Sequence, residues 1–126
     1  MVENKLTGII VECVLEVHRT LGGPGLLEGV YEEALVWEIQ QRGVPVQRQV
    51  VLPISYKGQI LGSPLRIDLV VAKQVIVECK AVATWSAVFE AQLLTYLRLT
   101  GLKVGLVINF GERLVKNGIH RVVNRL

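Results

Sequence analysis

The segment from Leu65 to Lys80 restricts the fold more than any other part of the chain. Leu65-Arg66-Ile67-Asp68-Leu69-Val70-Val71 and Val75-Ile76-Val77-Glu78-Cys79-Lys80 are two runs of strand length, rich in β-branched residues and separated by Ala72, Lys73 and Gln74 alone. A connection that short makes a hairpin. It pairs Val71 with Val75, and the same register sets Asp68 opposite Glu78 and Arg66 opposite Lys80. Side chains alternate along a strand, so all four charged residues share one face. The other face carries Leu65, Ile67, Leu69, Val71, Val75, Val77 and Cys79 and belongs in a core.

Asp68 is the one aspartate among eleven acidic residues. A charge inside so apolar a run is expensive and needs compensation. Opposed residues in a hairpin have Cβ atoms roughly 4.5–5.5 Å apart. At that separation Asp68 and Glu78 repel unless a cation or a shared proton lies between them. Two such carboxylates are hard oxygen ligands suited to Mg²⁺ or Mn²⁺. Lys80, two residues past Glu78 on the same face, can hold a water beside the ion or neutralise a phosphate under attack. A salt-bridged quartet, Arg66 with Asp68 and Glu78 with Lys80, explains the same pattern without chemistry, although buried ion pairs are weak sources of stability.

Around this hairpin the hydrophobic period changes twice. Residues 4–20 place Leu6, Ile9, Ile10, Cys13, Val14 and Val17 at spacings of three and four, which predicts an amphipathic helix stopped at Gly22-Gly23-Pro24-Gly25. A second helix is predicted over 28–42, with Tyr31, Ala34, Leu35 and Ile39 on one side. From Val46 to Tyr56 the period is two, a strand that Pro53 marks as an edge or a bulge. Lys57-Gly58 turns the chain into Gln59–Leu61. After the hairpin come a helix over 85–100, capped by Thr84 or Ser86 and stopped by Gly101, a buried strand over 103–110, and a short strand over 118–123. The order α-α-β-β-β-β-α-β-β describes a mixed sheet with helices on it, in the α/β or α+β class, read as a single domain over 1–126.

The charge is unevenly spread. Residues 1–50 carry seven acids and four bases, whereas 51–126 carry four acids and ten bases, which together make the net +3. A basic second half suits a polyanion, and equally suits an ordinary soluble surface. No run of 18 apolar residues exists, so no membrane partner is expected. Glu3, Lys5, Glu12, Glu16 and Arg19 argue against a signal peptide, and a reducing cytoplasm is expected. Cys13 and Cys79 are read as buried free thiols. His18 reads either as a phosphate contact or as a cap on a carbonyl at its helix end. His120, beside Arg121, reads as part of a solvated tail, with contact to a backbone phosphate as the alternative. Tyr31 reads as core. Trp37 and Trp85 could stack on bases, but two tryptophans are no argument by themselves.

Asp68, then nine residues, then Glu78-Cys79-Lys80 resembles the core motif of the PD-(D/E)XK nuclease superfamily, with Ile67 in the proline position. Gly25-Leu26-Leu27-Glu28-Gly29-Val30-Tyr31 resembles the signature of that superfamily's GxxExxY family. Val17–Gly22 and Ile108-Asn109-Phe110 are similar to its flanking segments. The turn Gly22-Gly23-Pro24-Gly25 has one glycine more than the LGPG usual there. The resemblance implies a restriction-endonuclease-like fold. It also implies that Asp68 and Glu78 are metal ligands with the Cys79 carbonyl as a third, that Lys80 is the catalytic lysine, and that Glu28 completes the metal shell. Gln92 and Tyr96 resemble a QxxxY element. One helical turn apart, they share a face that can border the site; Gln92, among apolar neighbours, is expected to be buried and to need partners.

The expected activity is therefore Mg²⁺- or Mn²⁺-dependent hydrolysis of phosphodiester bonds, with DNA as the expected substrate. Phosphates would lie near Arg66, Arg98, Arg113, His120, Arg121 and Arg125. Little of the chain is left for target recognition, so a homodimer or a place beside an accessory protein is expected. The rival reading is a non-catalytic module of the same fold that binds nucleic acid or a protein.

Overall fold

The apolar spacing of the first forty residues produces two helices, α1 (Glu3–Leu21) and α2 (Glu28–Gln41), in a computed structural model that describes residues 2–125. Leu6, Ile10, Cys13, Val14 and Val17 of α1 and Tyr31, Leu35 and Ile39 of α2 form their buried stripes. Gly22 ends α1 in the left-handed conformation (φ +91°), and Gly23 N–H closes the turn onto the His18 carbonyl at 2.9 Å, the usual helix stop.

The strands are β1 (Val46–Leu52), β2 (Ser55–Tyr56), β3 (Gln59–Ile60), β4 (Leu65–Val71), β5 (Val75–Lys80), β6 (Val104–Asn109) and β7 (Ile119–Val123); α3 (Val88–Thr100) connects β5 to β6. A 3₁₀ turn over Val115–Gly118 leads into β7. The strand expected over 46–56 is divided at Pro53, which has no N–H to continue a ladder. Its second half becomes the small β2–β3 hairpin around Lys57-Gly58.

Five strands form one sheet in the order β1-β4-β5-β6-β7. All neighbours are antiparallel except β5 and β6, whose parallel pairing requires the crossover through α3. Helices cover both faces. α1 and α2 pack on Leu69, Val71, Val75, Val77, Cys79, Leu106, Ile108 and Phe110. α3 packs through Leu93 and Leu97 on Leu65, Ile67, Val70, Ile76 and Val107. β6 is buried along its whole length. Among the described residues, no helix is long and apolar enough to cross a membrane.

The β4–β5 hairpin has the register read from its three-residue turn: Val71 pairs with Val75, Val70 with Ile76 and Leu69 with Val77. The wholly apolar face expected of it does not extend past Leu69. Leu65 and Ile67 pack on the α3 side, whereas Leu69 and Val71 pack on the α1–α2 side. β1 changes face at the same level: Val46 packs toward α1 and α2, Val50 and Leu52 toward α3. The β1–β4 register nevertheless holds from Val46↔Val71 to Leu52↔Leu65. Both strands therefore change phase together, at Gln49 and Asp68. Gln49 takes a left-handed backbone (φ +52°), a conformation that costs a non-glycine residue roughly 1–2 kcal/mol. Because of the phase change, Arg66 does not face Lys80; it is exposed opposite Val51.

Candidate active site

The site lies where the hairpin's ladder stops, beside the carboxyl ends of β5 and β6, the usual position for ligands in such sheets. Beyond Leu69↔Val77 the two strands are joined by their acids. Asp68 N–H donates to Glu78 Oε2 at 2.8 Å, and Cys79 N–H donates to Asp68 Oδ2 at 2.9 Å. Each carboxylate thus takes a backbone donor from the opposite strand. Glu78 is buried, and its carboxyl is pushed up to about 8, first by burial and then by the charge of Asp68. Burial also raises Asp68, against the pull of the Cys79 N–H, and the charge of Glu32 raises it further. At neutral pH the pair therefore keeps a proton, the second of the two ways to relieve opposed carboxylates.

Lys80 is half-buried beside them, its Nζ 4.8 Å from the centre of the Phe89 ring. Its charge acts on Asp68, Glu78 and Glu28, lowering each. Among the described residues no ion pair joins Arg66, Asp68, Glu78 or Lys80, so the salt-bridged quartet does not form. Its geometric premise, four charges on one face, is removed by the phase change at Asp68.

α2 and α3 flank the pair. Glu28, at the exposed start of α2, is raised first by partial burial, then lowered by Lys80 and raised by Asp68. From α3, Tyr96 is raised by burial and by the charges of Glu78 and Asp68, and a hydrogen bond with Gln92 opposes this. Tyr96 and Gln92 thus stand together on α3, with Tyr96 in the field of the carboxylates. Gln92 itself is exposed, contrary to expectation, because α3 presses only Leu93 and Leu97 fully into the sheet.

Three participants, Glu32, Gln49 and Asn109, are not apparent from the sequence. Glu32 is buried and accepts from Arg48 Nε at 2.6 Å and from Gln49 Nε2 at 3.0 and 3.1 Å. The same Gln49 amide is 3.5 Å from Asp68 Oδ1. Glu32 lies four residues after Glu28, hence on the same helical face, and that spacing is the signal that points to it.

Asn109 secures the loop that follows Lys80. Its Oδ1 accepts from Val82 N–H and Gly111 N–H, both at 3.0 Å, while its Nδ2 donates to the Val82 carbonyl at 3.1 Å. His18 is buried with Nε2 3.2 Å from the Phe110 carbonyl, so of its two readings the carbonyl contact holds, with a partner 92 residues away rather than at its own helix end. Tyr31 is core, and its ring stacks on Phe110 at 4.7 Å. Its hydroxyl donates to the Gly23 carbonyl at 2.7 Å and accepts from Leu26 N–H at 3.1 Å, bracing the glycine turn before α2. His120 is not in a solvated tail. It stands half-buried on β7, stacked on Trp85 at 3.9 Å, which also occupies that face of Trp85. Arg121 donates to Asn4 Oδ1 at 2.6 Å. Arg66, Arg98, Arg113 and Arg125 are exposed. Cys13 and Cys79 are buried free thiols.

A family model of the PD-(D/E)XK nuclease superfamily matches residues 4–122. The chain belongs to this superfamily. Neither a curated protein nor a solved structure gives a match. Membership of the PD-(D/E)XK superfamily carries a nuclease type of function and a divalent metal as the usual cofactor. Asp68 and Glu78 fit such an ion in chemistry: they are close, oxygen-bearing, and hold a proton that a cation would replace. Among the described residues no three His, Cys, Asp or Glu side chains converge on one point, and the Cys79 thiol is buried in the α1–α2 core. A two-carboxylate site suits Mg²⁺, which commonly keeps several waters and takes its other ligands from substrate phosphate.

Proposed function

We propose that this chain is a Mg²⁺- or Mn²⁺-dependent nuclease of the GxxExxY type that hydrolyses phosphodiester bonds, with DNA as substrate. The observation that carries the reading is the Asp68–Glu78 pair, two carboxylates each held by a backbone N–H of the other's strand. Asp68 and Glu78 would hold the ion, with the Cys79 carbonyl as a further oxygen and Glu28 completing the shell. A bound divalent ion supplies Lewis-acid polarisation of the scissile phosphate. Lys80, kept from a direct ion pair and aligned over Phe89, orients the attacking water and offsets charge on the phosphate. Gln92 and Tyr96 border the site from α3, where an exposed amide and a phenol can bind phosphate oxygens. Exposed Arg66, Arg98, Arg113 and Arg125 contribute to holding the backbone.

Among the described residues no third His, Cys, Asp or Glu side chain converges on Asp68 and Glu78, which favours one alternative, a non-catalytic module of the same fold that binds nucleic acid or a protein. Calorimetric titration with Mg²⁺ and Mn²⁺ separates the two. The nuclease reading expects binding that Asp68→Ala abolishes; no binding to the wild type supports the module.

A further inference from the structure

Gln49 has two unusual properties at one position. It sits in the middle of a strand whose register is continuous on both sides, yet its backbone is left-handed at φ +52°. Left-handed backbone in an interior strand position favours glycine, and a glutamine remains there against that preference. The twisted backbone aims its side chain at two carboxylates from different elements. Nε2 donates to both oxygens of Glu32 at 3.0 and 3.1 Å and reaches Asp68 Oδ1 at 3.5 Å.

Glu32 is well suited to anchor this amide. It is 5 % exposed on α2, and Arg48 Nε holds one of its oxygens at 2.6 Å. Asp68 Oδ2 is occupied by the Cys79 N–H. Oδ1 is thus the oxygen left to face a ligand, and Gln49 is the side chain that fixes its direction. The phase change of β1 and β4 occurs at these same two residues, so strand geometry and side-chain contact depend on one another.

We propose that Gln49 is a positioning residue, which uses Glu32 as its anchor to orient Asp68 Oδ1 for a divalent cation. The inference rests on the reading of Asp68 and Glu78 as a metal site. The amide donates to both carboxylates and takes no proton in exchange, so it holds two acids near each other without competing for the ion. Glu32, buried and engaged by Arg48 and Gln49, acts as support rather than as a ligand.

The test measures Mn²⁺ binding to the full chain by electron paramagnetic resonance at 25 °C, with a thermal melt on each variant. Gln49→Gly suits the backbone conformation and removes the amide. It is expected to stay folded and to bind Mn²⁺ about tenfold more weakly. Gln49→Asn also tolerates left-handed backbone and keeps an amide on a shorter arm; it should fall between Gln49→Gly and wild type. If Asp68→Ala abolishes binding while Gln49→Gly and Gln49→Asn match wild type, the positioning role is overturned and the metal site stands. If Asp68→Ala binds as wild type does, or wild type binds no Mn²⁺, the metal site itself is overturned and the role of Gln49 goes with it.

Discussion

Asp68 and Glu78 are bound to each other's strands rather than to each other's charge. Asp68 N–H meets Glu78 Oε2 at 2.8 Å, and Asp68 Oδ2 meets the Cys79 N–H at 2.9 Å. This exchange ends the ladder that begins at Val71↔Val75. It also puts two acids where their ionisation is opposed by burial and by each other, and the behaviour of the site with pH follows from that.

Glu78 binds its proton more tightly in the folded chain, at about 8, than at its ordinary 4.5. Unfolding therefore releases a proton between these values, and the metal-free protein loses stability as pH rises through that window. The loss should amount to a few kcal/mol by pH 8.5. Urea midpoints in chelator at pH 5.5 and 8.5 check it. Glu78→Gln should flatten the dependence, and a wild-type midpoint that rises with pH would contradict the linkage.

Tyr31 fills the terminal position of GxxExxY, and its work here is structural. Tyr31→Phe keeps the stack on Phe110 but leaves the Gly23 carbonyl and Leu26 N–H without their partner. The expected loss is about 1–2 kcal/mol, seen as a lower melting midpoint, with cleavage per folded molecule unchanged. A variant with wild-type stability and lost cleavage would move Tyr31 into the chemistry.

Gly111 is required by the loop that Asn109 secures. A Cβ there would lie 2.5 Å from the Val82 carbonyl oxygen and 2.8 Å from Val82 N, both backbone atoms. Gly111→Ala should cost about 1–3 kcal/mol and disturb the segment after Lys80. Thermal melts and hydrogen exchange at Val82 test this. Gly62→Ala, where a Cβ meets nothing within 4 Å and the backbone is not left-handed, serves as a control for the effect of an added methyl group.

Lys80 makes no ion pair with the acids beside it, so its removal breaks no salt bridge. Lys80→Ala should lower the rate of cleavage by about 10²–10³-fold, with Mn²⁺ affinity near wild type. Equal rates in the two proteins would show that the lysine has no part in the reaction.

Much of the fold is legible in the sequence. The three-residue turn sets the hairpin register, apolar spacing locates α1 and α2, and Gly101 marks the end of α3, which starts at Val88, three residues later than its expected start at Trp85. Pro53 marks β1 as an edge strand. What the sequence hides has a common cause. Gln49 adopts a glycine-like backbone without being glycine, so neither propensity nor alternation reveals that β1 and β4 change face there. The true faces of Leu65, Ile67 and Arg66 are hidden for the same reason. Glu32 reads as one more polar residue of a helix, and its burial depends on Arg48 and Gln49, sixteen and seventeen residues away. His120 and Trp85 look like loose ends in the sequence because the strand that stacks them lies at the far edge of the sheet.

Cleavage tests the central claim most directly. Supercoiled, linear and single-stranded DNA would be incubated with wild type and with Glu78→Gln, in Mg²⁺, in Mn²⁺ and in chelator. Glutamine has nearly the shape of glutamate and still offers an oxygen to the Asp68 N–H, so the variant should fold. Wild type is predicted to cut at least one DNA form with a divalent ion and none in chelator, and the variant to cut at a rate at least about a hundredfold lower. Equal cutting by both proteins, or no cutting of any form by folded wild type with either ion, would contradict a metal site built on Asp68 and Glu78.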